Sequence, residues 1–440
     1  MKVKTLSRST NDYLPSSSGD VRLPRNLHPA LHPHERAREY TRALNATKLE
    51  RMFAAPFIAQ MGHGHVDGVY TTRKNPRRLE EVASGSGDGE VSVWNMADQS
   101  SVFTTKAHQN IVKGLCWTKQ GKLLSCATDQ YVKLWDPSAN ATEPVKTYLG
   151  STAFNSIDHH RNDDVFATAA QDIQIWDEHR SDPVSTLSWG AETVNAVRFN
   201  QTETSVLASA GSDRTLILYD IRTSSPLSRL ITQLRTNAIA WNPMEAFNFA
   251  TACEDHNVYI FDMRKLNRAL NVLKDHVAAV MDVDFSPTGE ELVTGSYDRT
   301  IRLYRRQDGH SRDIYHTKRM QRVFAVQYSM DSRYIISGSD DGNVRLWRAQ
   351  AASRSNIRSA RERAKLEYDE TLKERYKHIP EIRRIARQRH IPKAIKKTSQ
   401  TKKIEEASIK RREDNVRRHS KKGAVPFRSE RDKMVFSHQQ

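Results

Sequence analysis

Hydrophobic and polar residues alternate along the middle of the chain in seven similar segments. In the first segment Val91 and Val93 alternate with polar residues and lead to Trp94. An alternation with a period of two predicts a β-strand with one buried face. An aromatic residue closes every segment, and successive ones are 41 to 43 positions apart: Trp94, Trp135, Trp176, Tyr219, Phe261, Tyr304 and Trp347. The chain therefore repeats one β-rich unit seven times.

The repeat also has a turn signal. Six units carry an Asp six positions before the aromatic residue, where a tight turn needs a short side chain that bonds its own backbone: Asp88, Asp129, Asp213, Asp255, Asp298 and Asp341. A period of 40 to 45 residues with this turn and a final aromatic-Asp pair is the WD40 pattern, which has four strands per blade. In the third unit Asp172 is only four positions before Trp176, which predicts a shortened hairpin and an imperfect blade. The fold class predicted is all-β, a seven-bladed WD40 β-propeller with an N-terminal extension and a basic α-helical C-terminal tail.

A ring of blades needs closure, and the seventh unit has no outer strand after Trp347. The segment "MFAAPFIAQ" at 52–60 has strand-like apolar content, so we expect it to complete the seventh blade and remove an open edge. The predicted division is an N-terminal extension at 1–51, a propeller at 52–349 and a tail at 350–440. The extension begins extended and becomes helical near "ERAREYTRALNATKLERMF".

Several units open with a His 21 to 23 residues before the turn Asp, and a hydrolase triad could be imagined from such a pair and a nearby Ser. The pairs are His65 with Asp88, His108 with Asp129, and His276 with Asp298. The pairing recurs, whereas an active site occurs once, so the sequence favours a structural hydrogen-bond network. We therefore predict no enzyme, no small-molecule substrate, no metal and no other cofactor.

Cysteine content and hydropathy limit the cellular compartments in which the protein is expected. The three cysteines, Cys116, Cys126 and Cys253, are too scattered for a disulfide framework or a zinc site, which fits a reducing compartment and a role as core fillers. No stretch of about 18 consecutive apolar residues occurs, so neither membrane insertion nor secretion is expected.

Positive charge is concentrated in the tail. Residues 351–440 contain 27 Lys or Arg and 12 Asp or Glu, whereas residues 51–350 contain 33 and 35. The first tail helix, from Ile357 to Pro380, has an apolar stripe and should dock, and "KKIEEASIKRREDNVRRHSKK" is again amphipathic. Between them, residues 381–397 combine one acidic residue with seven cations: Arg383, Arg384, Arg387, Arg389, Lys393, Lys396 and Lys397.

This cluster predicts a contact with a polyanion. Arg forms bidentate contacts with phosphate, and no base-reading motif is visible, so we expect contacts to the backbone of a nucleic acid. The alternative is a solvated charged helix without a partner.

Nearly the whole chain resembles the Sof-type WD40 proteins. The resemblance is carried by "MKVKTLSR", by "LHPHERAREYTRALNATKLERMFAAPF", by the seven units, and by the tail "RSNIRSARERAKLEYDETLKERYKHIPEIRRIARQRHIPKAIKK" with "RREDNVRRHSKKG". It implies a non-catalytic, nucleolar component of the small-subunit processome, needed for pre-rRNA processing. The implied partners are pre-rRNA, the small nucleolar ribonucleoprotein and other processome proteins.

A second class of function stays open. Units four and five end in "YDIR" and "FDMR", two consecutive aromatic-Asp-x-Arg boxes that contain Arg222 and Arg264. They are similar to the boxes of cullin-type ubiquitin ligase substrate receptors, in which the Arg residues help to bind the adaptor. An Arg at this position can also simply pack between blades.

Overall fold

The structure, a computed structural model, describes residues 29–139, 143–189, 192–353 and 359–439. The start of the chain, including "MKVKTLSR", and Ile357 lie outside these residues. The described residues form two compact units: 350–390 join the N-terminal residues up to Pro56, and 391–440 join Phe57–Ala349. This grouping differs from a division at 51 and 349, because the apolar side of the first tail helix packs on the N-terminal helix.

The first three blades of the propeller are antiparallel four-stranded sheets. Before them the chain forms strand β1 (Phe57–Gln60). The first blade consists of β2 (Val69–Lys74), β3 (Glu81–Ser86), β4 (Glu90–Asn95) and β5 (Ser100–Lys106). The second consists of β6 (Val112–Trp117), β7 (Leu123–Ala127), β8 (Tyr131–Trp135) and β9 (Lys146–Leu149). The third consists of β10 (Ser156–His159), β11 (Val165–Ala169), β12 (Ile173–Asp177) and β13 (Ser185–Leu187).

The remaining four blades follow the same order from the inner to the outer strand. The fourth consists of β14 (Val194–Phe199), β15 (Val206–Gly211), β16 (Thr215–Asp220) and β17 (Ser225–Thr232). The fifth consists of β18 (Thr236–Trp241), β19 (Asn248–Cys253), β20 (Val258–Asp262) and β21 (Asn271–Leu273). The sixth consists of β22 (Val280–Phe285), β23 (Glu291–Ser296), β24 (Ile301–Arg305) and β25 (Asp313–Tyr315). The seventh contains β26 (Val323–Tyr328), β27 (Tyr334–Ser339) and β28 (Val344–Arg348). The seven-bladed propeller predicted from the repeat is confirmed.

Strand β1 closes the ring. It pairs antiparallel with β28 and so supplies the fourth strand of the seventh blade, with Phe57 opposite Trp347 and Gln60 opposite Arg345. The Phe57 ring also contacts the Trp347 ring edge-on, at 5.4 Å between centroids. The expected closure is therefore confirmed for residues 57–60, whereas Met52 ends a helix instead of starting the strand.

The third blade has the shortened hairpin that its sequence predicts. Ala169 pairs with Ile173 across a turn of three residues, whereas in the first blade Gly85 pairs with Val91 across a turn of five. The blade still contains all four strands, so the irregularity is confined to the turn.

The described part of the first unit contains a 3-10 helix (Pro29–Leu31) and three α-helices: α1 (Glu35–Met52), α2 (Ala360–Arg375) and α3 (Pro380–Ala386). The side chain of Ser359 caps α2 by accepting a hydrogen bond from the backbone N–H of Glu362. Ala43 of α1, Leu372 of α2 and Ile382 of α3 are buried against one another. The docking expected of the first tail helix is thus observed, on α1.

The end of the tail belongs with the propeller. It forms α4 (Lys393–His419), α5 (Glu430–Lys433) and strand β29 (Val435–Gln439), which pairs antiparallel with β17 as a fifth strand of the fourth blade. Met434 is buried in the core of the fourth and fifth blades. None of the helices in the described ranges combines the length and hydrophobicity that a membrane span requires.

Candidate functional site

Three arginines project from the short helix α3. Ile382 is buried under the helix, so Arg383, Arg384 and Arg387 lie on its outer side and are exposed. Their side chains form no ion pair with a carboxylate in the described part of the chain. Arg383 and Arg387 are four residues apart and therefore neighbours on one helix face. These three guanidinium groups are available to an anionic partner.

Arg389 has a different environment from the other three. Its side chain is half-buried, and Nη1 donates to the backbone carbonyl of Ala386 at 2.6 Å and to that of Gln388 at 3.1 Å. The last carbonyls of a helix have no partner within the helix, so a cation that reaches them stabilises the helix end. Arg389 is engaged in holding the end of α3.

The arginines of α3 adjoin further polar side chains that sequence reasoning missed. Arg383 and Arg387 line an open cleft of about 430 Å³ together with Glu374, Lys377 and His378. Lys377 and His378 lie between α2 and α3, where no periodic pattern marks them. The only signal in the sequence is their distance of a few residues from the arginine run.

The three lysines of the predicted cluster lie on α4, in the propeller unit. Ile395 is buried, and Lys393, Lys396 and Lys397 are exposed around it. They occupy the first turns of α4, which has no acidic residue there. Positive charge at a helix N-terminus opposes the helix dipole, so an anion bound near these lysines would be stabilised. The predicted cluster of seven cations is therefore divided between two helices.

The two Arg boxes lie at the same end of neighbouring blades. Arg222 follows β16 and Arg264 follows β20, and their side chains are 77% and 60% exposed. Arg264 donates two hydrogen bonds to Asp262, at 3.1 and 3.0 Å, and its guanidinium lies 4.2 Å from the centroid of the Phe247 ring. Partial burial favours a higher pKa for Asp262, but its bonds to Arg264 hold that pKa below the ordinary value. Arg264 is fixed in place while remaining accessible.

Two of the predicted His–Asp pairs are confirmed as hydrogen-bond networks within blades. Nδ1 of His276 is 2.8 Å from a carboxylate oxygen of Asp298, and its Nε2 is 2.7 Å from Oγ1 of Thr294. His108 bonds Asp129 at 2.9 Å in the same way, and bonds Ser125 at 2.8 Å. The repetition indicates a structural element of the blade.

The third predicted pair is wrong. Nδ1 of His65 lies 3.5 Å from Glu90, whereas Asp88 accepts a hydrogen bond from Ser86 instead. His65 keeps the other half of the network, since its Nε2 is 2.6 Å from Oγ of Ser84. Gly89, in the turn of the first blade, has φ +87°. The carboxylate that faces His65 belongs to Glu90, the first residue of the strand that follows this turn.

We expect the free energy of unfolding to fall as the pH is lowered below about 6.5. Complete burial lowers the pKa of His276, so the unfolded chain binds a proton that the folded blade excludes. This contribution to stability is complete above the unfolded pKa and is lost as the pH falls toward the folded one. Urea unfolding at several pH values measures the slope, and His276→Gln should reduce it by up to about one proton. Equal slopes for the two proteins would contradict this assignment.

The described residues contain no group of three or more His, Cys, Asp or Glu that could hold a metal ion. The three cysteines are free and buried, and burial raises the pKa of each thiol. A thiol with a raised pKa is a poor nucleophile at neutral pH.

Seven blades of this repeat followed by a basic helical tail define a WD40 β-propeller protein with a C-terminal extension. Family models agree: "WD domain, G-beta repeat" matches residues 99–136, 173–220, 267–305 and 309–348, and "Sof1-like domain" matches residues 349–435. Among solved structures, the WD40 β-propeller domain of Doa1 is similar in fold, with a TM-score of 0.58 and 20% identity over 66% of this chain and 96% of that one.

Curated relatives extend the match to nearly the full length. Protein SOF1 of Saccharomyces cerevisiae is 55% identical, over 99% of this chain and 94% of its own. Protein sof1 of Schizosaccharomyces pombe is 57% identical, over 99% of both chains. The DDB1- and CUL4-associated factor 13 of Xenopus laevis is 47% identical, again over 99% of both. The chain belongs to the Sof1 family of WD40 proteins.

Proposed function

We propose that this protein is a non-catalytic scaffold of the small-subunit processome that binds pre-rRNA through its basic tail. The observation that carries the proposal is the exposed row of Arg383, Arg384 and Arg387 on a tail that matches the Sof1-like domain. Exposed guanidinium groups without carboxylate partners suit a phosphate backbone. The propeller, with 33 basic and 35 acidic residues over 51–350, lacks a comparable excess of positive charge.

The other cations of the predicted cluster have distinct roles in this proposal. Lys393, Lys396 and Lys397 add phosphate contacts from the start of α4, while Arg389 holds the end of α3. The propeller binds protein partners of the assembly, including components of the small nucleolar ribonucleoprotein. Action on pre-rRNA places the protein in the nucleolus. Since the His–Asp pairs repeat as blade networks and the thiols are buried, the function requires neither catalysis nor a cofactor.

Crosslinking of the tagged protein in cells, read both as RNA sites and as protein neighbours, tests this function. We expect crosslinks on pre-rRNA or small nucleolar RNA that involve tail residues 377–397, and neighbours that are ribosome assembly proteins. A matched variant with Arg383, Arg384 and Arg387 replaced by Ala should lose most RNA crosslinks and accumulate unprocessed pre-rRNA. If the wild-type protein forms no crosslinks to RNA, the proposed binding of RNA by the tail is refuted.

A second candidate function is supported by the Arg boxes, as a substrate receptor of a cullin-type ubiquitin ligase. Arg222 and Arg264 are both exposed at the same end of adjacent blades, where an adaptor could bind both. The name of the relatives called DDB1- and CUL4-associated factor 13 points to DDB1 as that adaptor.

Binding to purified DDB1 discriminates this second function. The double variant Arg222→Ala, Arg264→Ala should weaken binding by at least about tenfold, since charge-assisted hydrogen bonds at an interface each contribute roughly 1.5–3 kcal/mol. Arg180→Ala is the control, because Arg180 is exposed after β12, in the loop that corresponds to the Arg boxes, but outside such a box. If wild type and double variant bind DDB1 equally, or neither binds, the ligase role is excluded.

A further inference from the structure

The central channel of the propeller opens at a mouth formed by the first residues of the inner strands. A cavity of about 330 Å³ runs along the channel, and its lining at the mouth includes Tyr70, Lys113, Asn155, Asn195 and Phe324. These residues come from five different blades, so their convergence depends on ring closure. The proposed binding of RNA by the tail involves none of these five residues.

Lys113 is an unpaired cation at this mouth. Its side chain is half-buried, and burial lowers its pKa. In the described part of the chain its ammonium group has neither a hydrogen bond nor an ion pair, and its one contact is with the Tyr70 ring, at 5.0 Å from the centroid. A partly desolvated charge without a counter-charge costs free energy that a bound anion would recover.

A second donor in the same lining also lacks a partner. Nδ2 of Asn195 is buried and has no hydrogen-bond acceptor, whereas the equivalent amides of Asn155 and Asn237 donate to the carbonyls of Val194 and Val280. Buried donors in native proteins are almost always satisfied, so an orphan indicates a missing acceptor. A ligand that is anionic and accepts hydrogen bonds would satisfy both Lys113 and Asn195.

Each cation deeper in the channel has a carboxylate partner and needs no such ligand. Asp158 lies 3.8 Å from Arg73 and 3.7 Å from Arg198, and Lys74 is 3.1 Å from Asp284. Arg235, which also lines the cavity, pairs with Glu254 at 2.8 Å, so Lys113 is the cation of this described lining that lacks an ion pair. A single carboxylate would supply that partner.

The surroundings of the mouth favour a protein ligand over RNA. Phe324 stacks on Tyr70 at 4.7 Å and Lys113 lies over the same ring, so Tyr70 has no free face for a base. Asp67 and Asp340 are exposed near Tyr70. Burial raises the pKa of Tyr70, and these two carboxylates raise it further. A phosphodiester chain would bring repeated negative charge against them, whereas a peptide carries its charge at one residue.

We propose that the channel mouth binds one acidic side chain, Asp or Glu, from an extended segment of a partner protein. Lys113 forms the ion pair with this carboxylate, and the amide of Asn195 donates a hydrogen bond to it. This interaction is independent of RNA binding by the tail.

The test selects binders from a random dodecapeptide library on the full-length protein and then measures a double-mutant cycle. Selected peptides should share an Asp or Glu, and its replacement by the amide should weaken binding about tenfold to the wild type but not to Lys113→Met. Asn195→Asp, which places a competing carboxylate in the mouth, should also abolish binding. Lys119→Met is the control, because Lys119 is exposed and bonds the carbonyl of Asn162 outside the channel.

Circular dichroism and thermal unfolding verify that each variant folds. The proposal is overturned if no peptide is recovered, which would leave water as the acceptor, or if peptides bind Lys113→Met as they bind the wild type. It is also overturned if Lys113→Met weakens binding of a uridine dodecamer and of no peptide, because the mouth would then be an RNA site.

Discussion

Replacement of Arg383, Arg384 and Arg387 together by Ala should weaken binding of the full-length protein to unrelated single-stranded RNAs about 100-fold at about 0.1 M salt. Each side chain is exposed and without a carboxylate partner, so each can neutralise one phosphate. A neutralised single-strand phosphate contributes about −0.7 to the slope of log K against log salt, and three of them account for about two log units at this salt concentration. The loss should be similar for RNAs of different sequence, because the contacts are to the backbone.

A salt titration of a fluorescent oligouridylate measures the effect. If four or five tail cations reach phosphate at once, the wild type should have a slope of roughly −3 and the triple variant roughly −1. The control replaces Lys119, Arg161 and Arg299 by Ala, which removes the same charge from exposed positions of the propeller. An unchanged slope in the tail variant would mean that these arginines face protein. Arg389→Ala should instead destabilise the end of α3, whose carbonyls it bonds.

Asp298→Ala should lower the free energy of unfolding by about 3–5 kcal/mol, because each buried donor left without an acceptor costs roughly 1–3 kcal/mol. Asp298 is 1% exposed, and its carboxylate accepts hydrogen bonds from His276, from the backbone N–H of Thr300 and from the Thr300 hydroxyl. Burial alone would raise the pKa of Asp298, but His276, Arg302 and Thr300 together hold it well below the ordinary value. The variant leaves buried donors without an acceptor in the sixth blade.

Urea unfolding followed by tryptophan fluorescence measures this loss. Asp163→Ala is the matched control, since Asp163 is 72% exposed beside His160 and an exposed pair contributes only about 0–1 kcal/mol. Asp298→Asn, which keeps one acceptor oxygen, should recover part of the stability. A loss below about 1 kcal/mol for Asp298→Ala would show that water replaces the carboxylate and that the network is not a stabilising element.

The sequence alone was sufficient for the features that repeat. A period of 41 to 43 residues, alternating apolar positions and a turn Asp specify each blade locally, because strand pairing within a hairpin depends on near neighbours. Closure by residues 57–60 followed from the missing outer strand of the last unit, since an unpaired edge is unfavourable. The pairs His108–Asp129 and His276–Asp298 were predictable for the same reason, as members of a repeat.

Contacts between residues far apart in sequence were decided only by the tertiary structure. Glu90 lies beside His65, where the sequence predicted Asp88. Strand β29 pairs with β17, which lies far earlier in the chain, although the sequence of β29 has no repeat signal. The basic run reads as seven equivalent cations, yet folding uses Arg389 to bond two carbonyls and leaves the other six exposed. Lys113 is unremarkable in sequence and becomes an unpaired charge only when seven blades close around a channel. Periodicity encodes local pairing, whereas burial and charge balance are set by which distant residues the closed ring brings together.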